Sequence, residues 1–276
     1  MLSSCMEKIL VTGGTGTLGK QVVRHLLNEP FKVVVLSSQN DPTVPQGVQV
    51  VKGNLETNEG LKDAAKHAGI VIHCASNPKD PQRADVTGTI NLLRSLDKDK
   101  TDHFVYISIV GVDKTNYPYY QAKNETEQII KDSGIPFTIL RTTQFHNLVL
   151  NMISSFQTEN GHILVPPGMQ FQSIDVSEVA SCLAELAVKP PSGLLPDMGG
   201  PEILSIEEMV KIYLAVLGRR DEIKEDQVTM PRYDLFRSGV NLCPSNLDGK
   251  ITWKQFLIST PSKKSSSLLG EGRGRT

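Results

Sequence analysis

An apolar run, Lys8-Ile-Leu-Val-Thr12, passes directly into the glycine-rich segment Gly13-Gly-Thr-Gly-Thr-Leu-Gly19. An amphipathic stretch follows, with Leu18, Val22 and Leu26 on one helical face. This order predicts a strand, a tight turn and a helix. Glycines let the backbone turn sharply and come close to a bound group, and the free N–H groups of a helix N-terminus attract negative charge. A unit of this kind suits the pyrophosphate of a dinucleotide. The spacing is Gly13-x-x-Gly16-x-x-Gly19 rather than G-x-G-x-x-G, and a purely structural turn is the alternative. Gly13, Thr15, Gly16, Thr17, Leu18 and Gly19 are the candidate contacts to such a cofactor.

Further apolar runs at Phe31–Leu36, Val48–Val51, Ile70–Ala75, His103–Ile109 and Phe137–Leu140 are rich in Val and Ile, and most do not alternate. That is the pattern of parallel strands buried on both faces. Helical candidates lie between them, among them Val86–Leu96 and Tyr119–Lys131. Such alternation implies a doubly wound parallel sheet with right-handed crossovers, whose ligands bind at the carboxyl ends of the strands. After Arg141 the rhythm changes. Asn147–Phe156 reads as a helix and His162–Gly168 as a short strand. Asp175-Val-Ser-Glu178 resembles a capping box before a helix at Val179–Leu186, and Ser205-Ile-Glu-Glu208 caps another that reaches Leu217.

The expected fold class is therefore α/β: a Rossmann-type doubly wound parallel sheet with a small mixed C-terminal substrate lobe. The expected division is a dinucleotide-binding domain over 6–146, an integrated substrate-binding lobe over 147–260, and a disordered Ser/Lys/Gly-rich tail over 261–276.

Composition narrows the function. The 276 residues carry a formal net charge of −1, which gives no electrostatic case for a nucleic acid or an anionic membrane as partner. No apolar run approaches the ~18–20 residues of a membrane-spanning helix. The leader Met1–Glu7 is too short and too polar for a signal peptide, so a cytoplasmic protein is expected. The four cysteines (Cys5, Cys74, Cys182, Cys243) and the six histidines show no metal-ligand spacing. No metal is expected, and the thiols read as reduced.

Tyr119-Tyr-Gln-Ala-Lys123 is the second signal. At i,i+4 on a helix, the two side chains share a face. A lysine ammonium beside a phenol lowers the phenol pKa from its usual ~10 and makes proton transfer feasible nearer neutrality. The same lysine can hold a cofactor ribose. A surface tyrosine with a solvated lysine is the alternative. Cofactor choice is read just past the second strand, where an acid favours NAD and an arginine NADP. Here the residues are Ser37-Ser38-Gln39-Asn40, and the lack of an acid tips the balance to NADP(H) over NAD(H). Cys74, Ala75 and Ser76 follow the fourth strand, near the expected cofactor. Trp253 and Phe256 read as packing residues of the small lobe.

Several blocks together resemble an atypical short-chain dehydrogenase/reductase of the NmrA-like, NAD(P)-binding branch. Thr12-Gly-Gly-Thr-Gly-Thr-Leu-Gly19 is similar to its T-G-x-T-G-x-x-G, and Val86-Thr-Gly-Thr-Ile-Asn-Leu-Leu93 to its V-x-G-T-x-N-L-L. His103–Val112, Tyr117–Lys123, Ile139–His146 and Gly199-Gly-Pro201 resemble further blocks of the family. By this resemblance Tyr119 and Lys123 are catalytic, with Ser108 as an assisting hydroxyl. Gly53-Asn54-Leu55 replaces the family's Gly-Asp-Leu, so Asn54 and Leu55 join the cofactor contacts at the adenine. Gln144, Phe145 and His146 fall where the family meets nicotinamide and substrate; a structural histidine is the alternative for His146.

The implied function is an NAD(P)H-dependent oxidoreductase that reduces a small conjugated or aromatic acceptor, a quinone or carbonyl, by hydride transfer. The alternative is a non-catalytic NAD(P)-binding redox sensor or assembly protein with a protein partner.

Overall fold

The structure is a computed structural model, described here for residues 7–158, 160–227 and 230–260. The expected tail over 261–276 and most of the leader lie outside the described residues. In chain order the elements are β1 (Lys8–Thr12), α1 (Thr17–Leu26), β2 (Lys32–Ser37), β3 (Gln49–Lys52), α2 (Leu61–Ala65) and β4 (Ala68–His73). A π-helical turn, Gln82–Thr87, then leads into α3 (Gly88–Ser95), followed by β5 (His103–Ile109), α4 (Pro118–Lys131) and β6 (Phe137–Thr142). The rest comprises α5 (His146–Ser155), β7 (His162–Val165), β8 (Gln170–Phe171), α6 (Val176–Ala187), β9 (Gly193–Leu194), β10 (Leu204–Ser205), α7 (Ile206–Leu217), β11 (Glu222–Glu225), α8 (Pro231–Arg237) and α9 (Trp253–Ser259).

The main sheet has the order β3-β2-β1-β4-β5-β6-β9 and every pairing in it is parallel. The Rossmann-type sheet read from the sequence is what forms. Its strands are apolar on both sides because helices cover both. Ile9 and Val11 face one layer with Leu18, Val22 and Leu26 of α1 and Leu183 of α6. Leu10 and Val34 face the other, with Leu61 of α2, Leu92 of α3 and Ile130 of α4. Each fully buried side chain of this size contributes about 2 kcal/mol of transfer free energy. The strand order reverses between β1 and β4, and this switch point is where a doubly wound sheet opens a crevice at the strands' carboxyl ends.

A third apolar cluster sits apart, built from α5, β7, β8 and α7–α9 around Trp253, which is fully buried, stacks on Phe256 and donates its indole N–H to Met209 O. The chain passes between the two regions more than once. Within 147–260, α6 packs against α1 and β9 extends the main sheet beside β6. The strand expected over His162–Gly168 stops at Val165 and pairs in parallel with β11, away from that sheet.

The two caps read from sequence differ. Ser205 and Glu208 form a complete capping box on α7. Asp175 caps α6 through Ser177 N, but Glu178 does not reach back to it; its carboxylate accepts from Lys250 N–H at 2.7 Å and so ties the C-terminal segment to α6. No helix of the described residues is long and apolar enough to cross a membrane.

Candidate functional site

The turn after β1 is shaped by close approaches. Gly13 has φ +67°, and a Cβ there would sit 2.6 Å from Ala75 N. A Cβ on Gly19 would come within 2.2 Å of Gly13 O, so that glycine lets α1 close onto the turn. Gly16 is different. Its φ of −81° and ψ of 179° suit any residue, and a Cβ there would meet only Gly13 O, at 3.2 Å. Gly16 is exposed and is the N-cap of α1, and no side chain caps that end. This leaves a bare surface over uncapped N–H groups with no acid in the first turn of α1, an arrangement whose electrostatics favour negative charge.

Beside the turn a cavity of about 230 Å³ opens over the ends of β1, β2 and β4. Gly13, Thr15, Ser37 and Ser38 line one side of it, and Asn54, Leu55, Ala75 and Ser76 the other. These are residues singled out from the sequence. Gln39, Glu56 and Asn77 line it too and were not. Gly16, Thr17, Leu18, Gly19, Cys74 and Lys123 are not among its walls; the Leu18 side chain packs into the sheet core, and burial pushes the Cys74 thiol up to about 12, so it stays a thiol. A larger, more open polar hollow of about 720 Å³ lies between Asp113, Lys114 and Asn116 of the loop after β5 and Gln121 and Glu125 of α4. It has no part of the glycine turn in its walls.

Under the floor of the crevice, His73 bridges β1 and α3. Its Nδ1 meets Thr12 Oγ1 at 2.6 Å and its Nε2 meets Thr89 Oγ1 at 2.9 Å. Thr89 already donates its hydroxyl proton to Asp85 O, so Nε2 carries the ring proton and Nδ1 accepts from Thr12. Burial, with the Lys123 ammonium nearby, pulls His73 down to about 3 and keeps it neutral.

Helix α4 opens on Pro118, which suits a first helical position. Tyr119 follows in that first turn, half-buried, with its hydroxyl 2.8 Å from Ser76 Oγ. Lys123, one turn on, is only 2% exposed, so the solvated lysine of the alternative reading is ruled out. Its ammonium donates to Ile107 O at 2.9 Å, lies 3.6 Å from Asp85 Oδ1 and sits over the Tyr106 ring at 4.3 Å. Asp85, 1% exposed in the π-helical turn, accepts from Asn77 N–H at 3.1 Å through Oδ2. One carboxylate thus holds both the loop that carries Ser76 and the lysine behind Tyr119. Asp85 Oδ1 is buried without a hydrogen bond among the described residues. Single-turn π insertions recur at functional sites, and this one was not visible in the sequence.

The expectation that Lys123 lowers the Tyr119 pKa is overturned. Burial, with the Asp85 carboxylate next, pushes the phenol up to about 12, and the Ser76 hydrogen bond only partly offsets this. Lys123 is committed to Asp85 and Ile107 O, and burial lowers its own pKa while Asp85 raises it.

Ser108 does not join this group. It is 1% exposed and donates to Glu127 Oε1 at 2.6 Å, within a network in which Arg141 grips both Glu127 oxygens at 2.8 Å and Asp113 at 2.9 Å. Nor does His146, which is fully buried in the lobe. Its Nδ1 meets Ser173 Oγ at 2.8 Å, its Nε2 meets Ile251 O at 2.9 Å, and Trp253 and Phe256 flank the ring. That is the structural histidine of the alternative reading. Gln144 is buried, donates to Tyr120 OH at 2.9 Å and accepts from Asn241 at 3.1 Å; Phe145 packs against the core between the sheet and α1.

Comparison with known proteins agrees with this architecture. The family model for NAD(P)H-binding proteins matches residues 13–190. Photosystem II assembly factor Ycf39 of Cyanophora paradoxa is 31% identical over 145 residues, covering 50% of this chain and 45% of that protein. The chain thus spans under half the length of that relative. The (4-alkanoyl-5-oxo-2,5-dihydrofuran-3-yl)methyl phosphate reductase of Streptomyces griseus is 24% identical over 215 residues, 76% of this chain and 74% of that protein. Among solved structures, an NADPH-dependent quinone oxidoreductase of Escherichia coli superposes with a TM-score of 0.71 over 90% of this chain and 98% of that one. At 16% identity, that likeness shows the fold alone.

Proposed function

The chain belongs to the NAD(P)H-binding family, in the atypical short-chain dehydrogenase/reductase group that its motifs resemble, and on that premise we propose that it is an NAD(P)H-dependent oxidoreductase acting on a small conjugated or aromatic acceptor, a quinone or carbonyl compound. The observation that carries this reading is the 2.8 Å contact between Ser76 and Tyr119. Ser76 lines the cavity beside the glycine turn, and Tyr119 heads α4, so a single hydroxyl pair links a cofactor cleft to a proton donor.

The residues present fit a dinucleotide. The turn from Gly13 to Gly19 would hold the pyrophosphate on the bare end of α1, Ser37, Ser38, Asn54 and Leu55 would take the adenosine half, and Ala75 and Ser76 the other half, with the buried Lys123 behind them rather than in the cavity wall. Bound there in reduced form, the nicotinamide supplies a hydride. The protein's part is the proton. A phenol held near 12 remains protonated at neutral pH, so Tyr119 serves as a donor to the oxygen where negative charge develops, and is poorly suited to remove a proton from an alcohol. Lys123 and Asp85 position the donor and its loop from beneath; Ser108, bonded to Glu127, is left out of the step.

A second reading, a non-catalytic NAD(P)-binding sensor or assembly protein, is favoured by the 31% identity to a photosystem II assembly factor. The experiment that separates them is oxidation of NADPH and NADH by the purified protein against a panel of quinones and aromatic carbonyls. Turnover on any acceptor supports the reductase. Cofactor binding without turnover on the whole panel supports the second reading.

A further inference from the structure

Cofactor selectivity has no arginine after β2 to carry it, since Ser37-Ser38-Gln39-Asn40 occupies that loop. The adjacent strand supplies a cation instead. In the parallel register Ser37 lies opposite Lys52, each the last residue of its strand, β2 and β3. The exposed Lys52 side chain reaches across the strand ends to the Asn40 side chain, where its ammonium donates to Oδ1. Neither Lys52 nor Asn40 is in the cavity wall, but their chain neighbours are: Ser37, Ser38 and Gln39 before Asn40, and Gly53 after Lys52. Among the described residues Lys52 pairs with no carboxylate. The one charged side chain lining the cavity, Glu56, has its Oε2 held by Arg83 at 3.1 Å. The Ser37 hydroxyl accepts from Gln39 N–H at 3.2 Å, which leaves its own proton free to donate.

We propose that Lys52, held by Asn40, together with the Ser37 hydroxyl, forms a subsite for the 2′-phosphate of NADP(H). The proposal rests on the dinucleotide reading of the cavity and adds to it a selectivity determinant on β3. A phosphomonoester carries close to two negative charges at neutral pH, and a charge-assisted contact to an ammonium is stronger than the neutral hydrogen bonds a 2′-hydroxyl can make. The acid that would repel the phosphate and grip the hydroxyl is absent from Ser37–Asn40, so both effects favour NADP(H).

The test is equilibrium titration of the full chain with NADPH and with NADH, for the wild type and for Lys52→Met. Lys52 is exposed, so the substitution leaves the core intact. The wild type is expected to bind NADPH at least about tenfold tighter than NADH, and Lys52→Met to lose about tenfold in NADPH affinity with NADH affinity unchanged. Lys52→Arg should retain most of the preference. Equal affinities in the wild type, or an equal loss for both cofactors in Lys52→Met, would overturn the subsite while leaving the cofactor cleft standing. A wild type that binds neither would overturn the cleft and the subsite together.

Discussion

Helix α4 carries two buried charge clusters one turn apart, and they are built in opposite ways. At Glu127 every strong group is answered: Arg141 grips both oxygens, Ser108 donates to one of them, and Asp113 takes a further guanidinium N–H. At Lys123 the same helix leaves its groups under-satisfied. The ammonium has one carbonyl and a carboxylate at 3.6 Å, and Asp85 Oδ1 is buried without a hydrogen bond among the described residues. A saturated ionic network rigidifies a fold and has nothing left to offer a ligand; buried groups left short of partners mark places where chemistry or binding completes them. Both clusters are charged with buried centres, and the first also borders the larger hollow through the exposed Asp113. Only the second opens toward the cavity, through Ser76 and Tyr119.

The largest expected effect breaks the saturated cluster. Arg141→Ala strips Glu127 of its bidentate partner and leaves a buried carboxylate, and is expected to cost about 3–5 kcal/mol in chemical denaturation. If that loss is under about 1 kcal/mol, the network is not what holds β6 to α4.

Much of the fold was legible because its cause is local. Uninterrupted Val and Ile runs mark strands buried on both faces, and Gly13 and Gly19 mark the turn they make possible. The site was legible only in part, because its partners come from distant segments. Lys123 at i+4 from Tyr119 suggested a tuned pair, but Asp85, from a π-helical turn starting four residues before the expected helix at Val86, claims the lysine. Ser108 meets Glu127 and His146 meets Ile251 O through tertiary packing alone, and a two-residue strand such as β9 has too little pattern to be read. Lys52 was missed for the same reason: its neighbour in space, Asn40, is set by the register of β3 on β2.

A smaller effect sharpens the comparison from the open side. Asp85→Asn removes the countercharge of Lys123 and one source of the raised Tyr119 pKa. It should cost about 2 kcal/mol of stability, as loss of a hydrogen-bonded or paired charge does. It should also bring the phenol down from about 12, so that tyrosinate absorbance appears at lower pH than in the wild type. No shift in that titration would mean Asp85 does not control Tyr119.

The smallest stability effect is expected at Gly16. Its backbone conformation and surroundings admit a side chain, so Gly16→Ala should change stability by less than about 1 kcal/mol while weakening NADPH binding severalfold. Gly19→Ala, whose Cβ would meet backbone at 2.2 Å, should instead destabilise the protein itself. Equal stability losses at the two positions would remove the case for Gly16 as a cradle.

The central claim, that the open cluster is the chemical one, is tested most directly by Tyr119→Phe measured for turnover and cofactor affinity together. On an acceptor the wild type reduces, the substitution is expected to lower kcat by about 10²–10⁴ while NADPH affinity stays within about twofold. Unchanged kcat would contradict the claim and remove Tyr119 from the reaction.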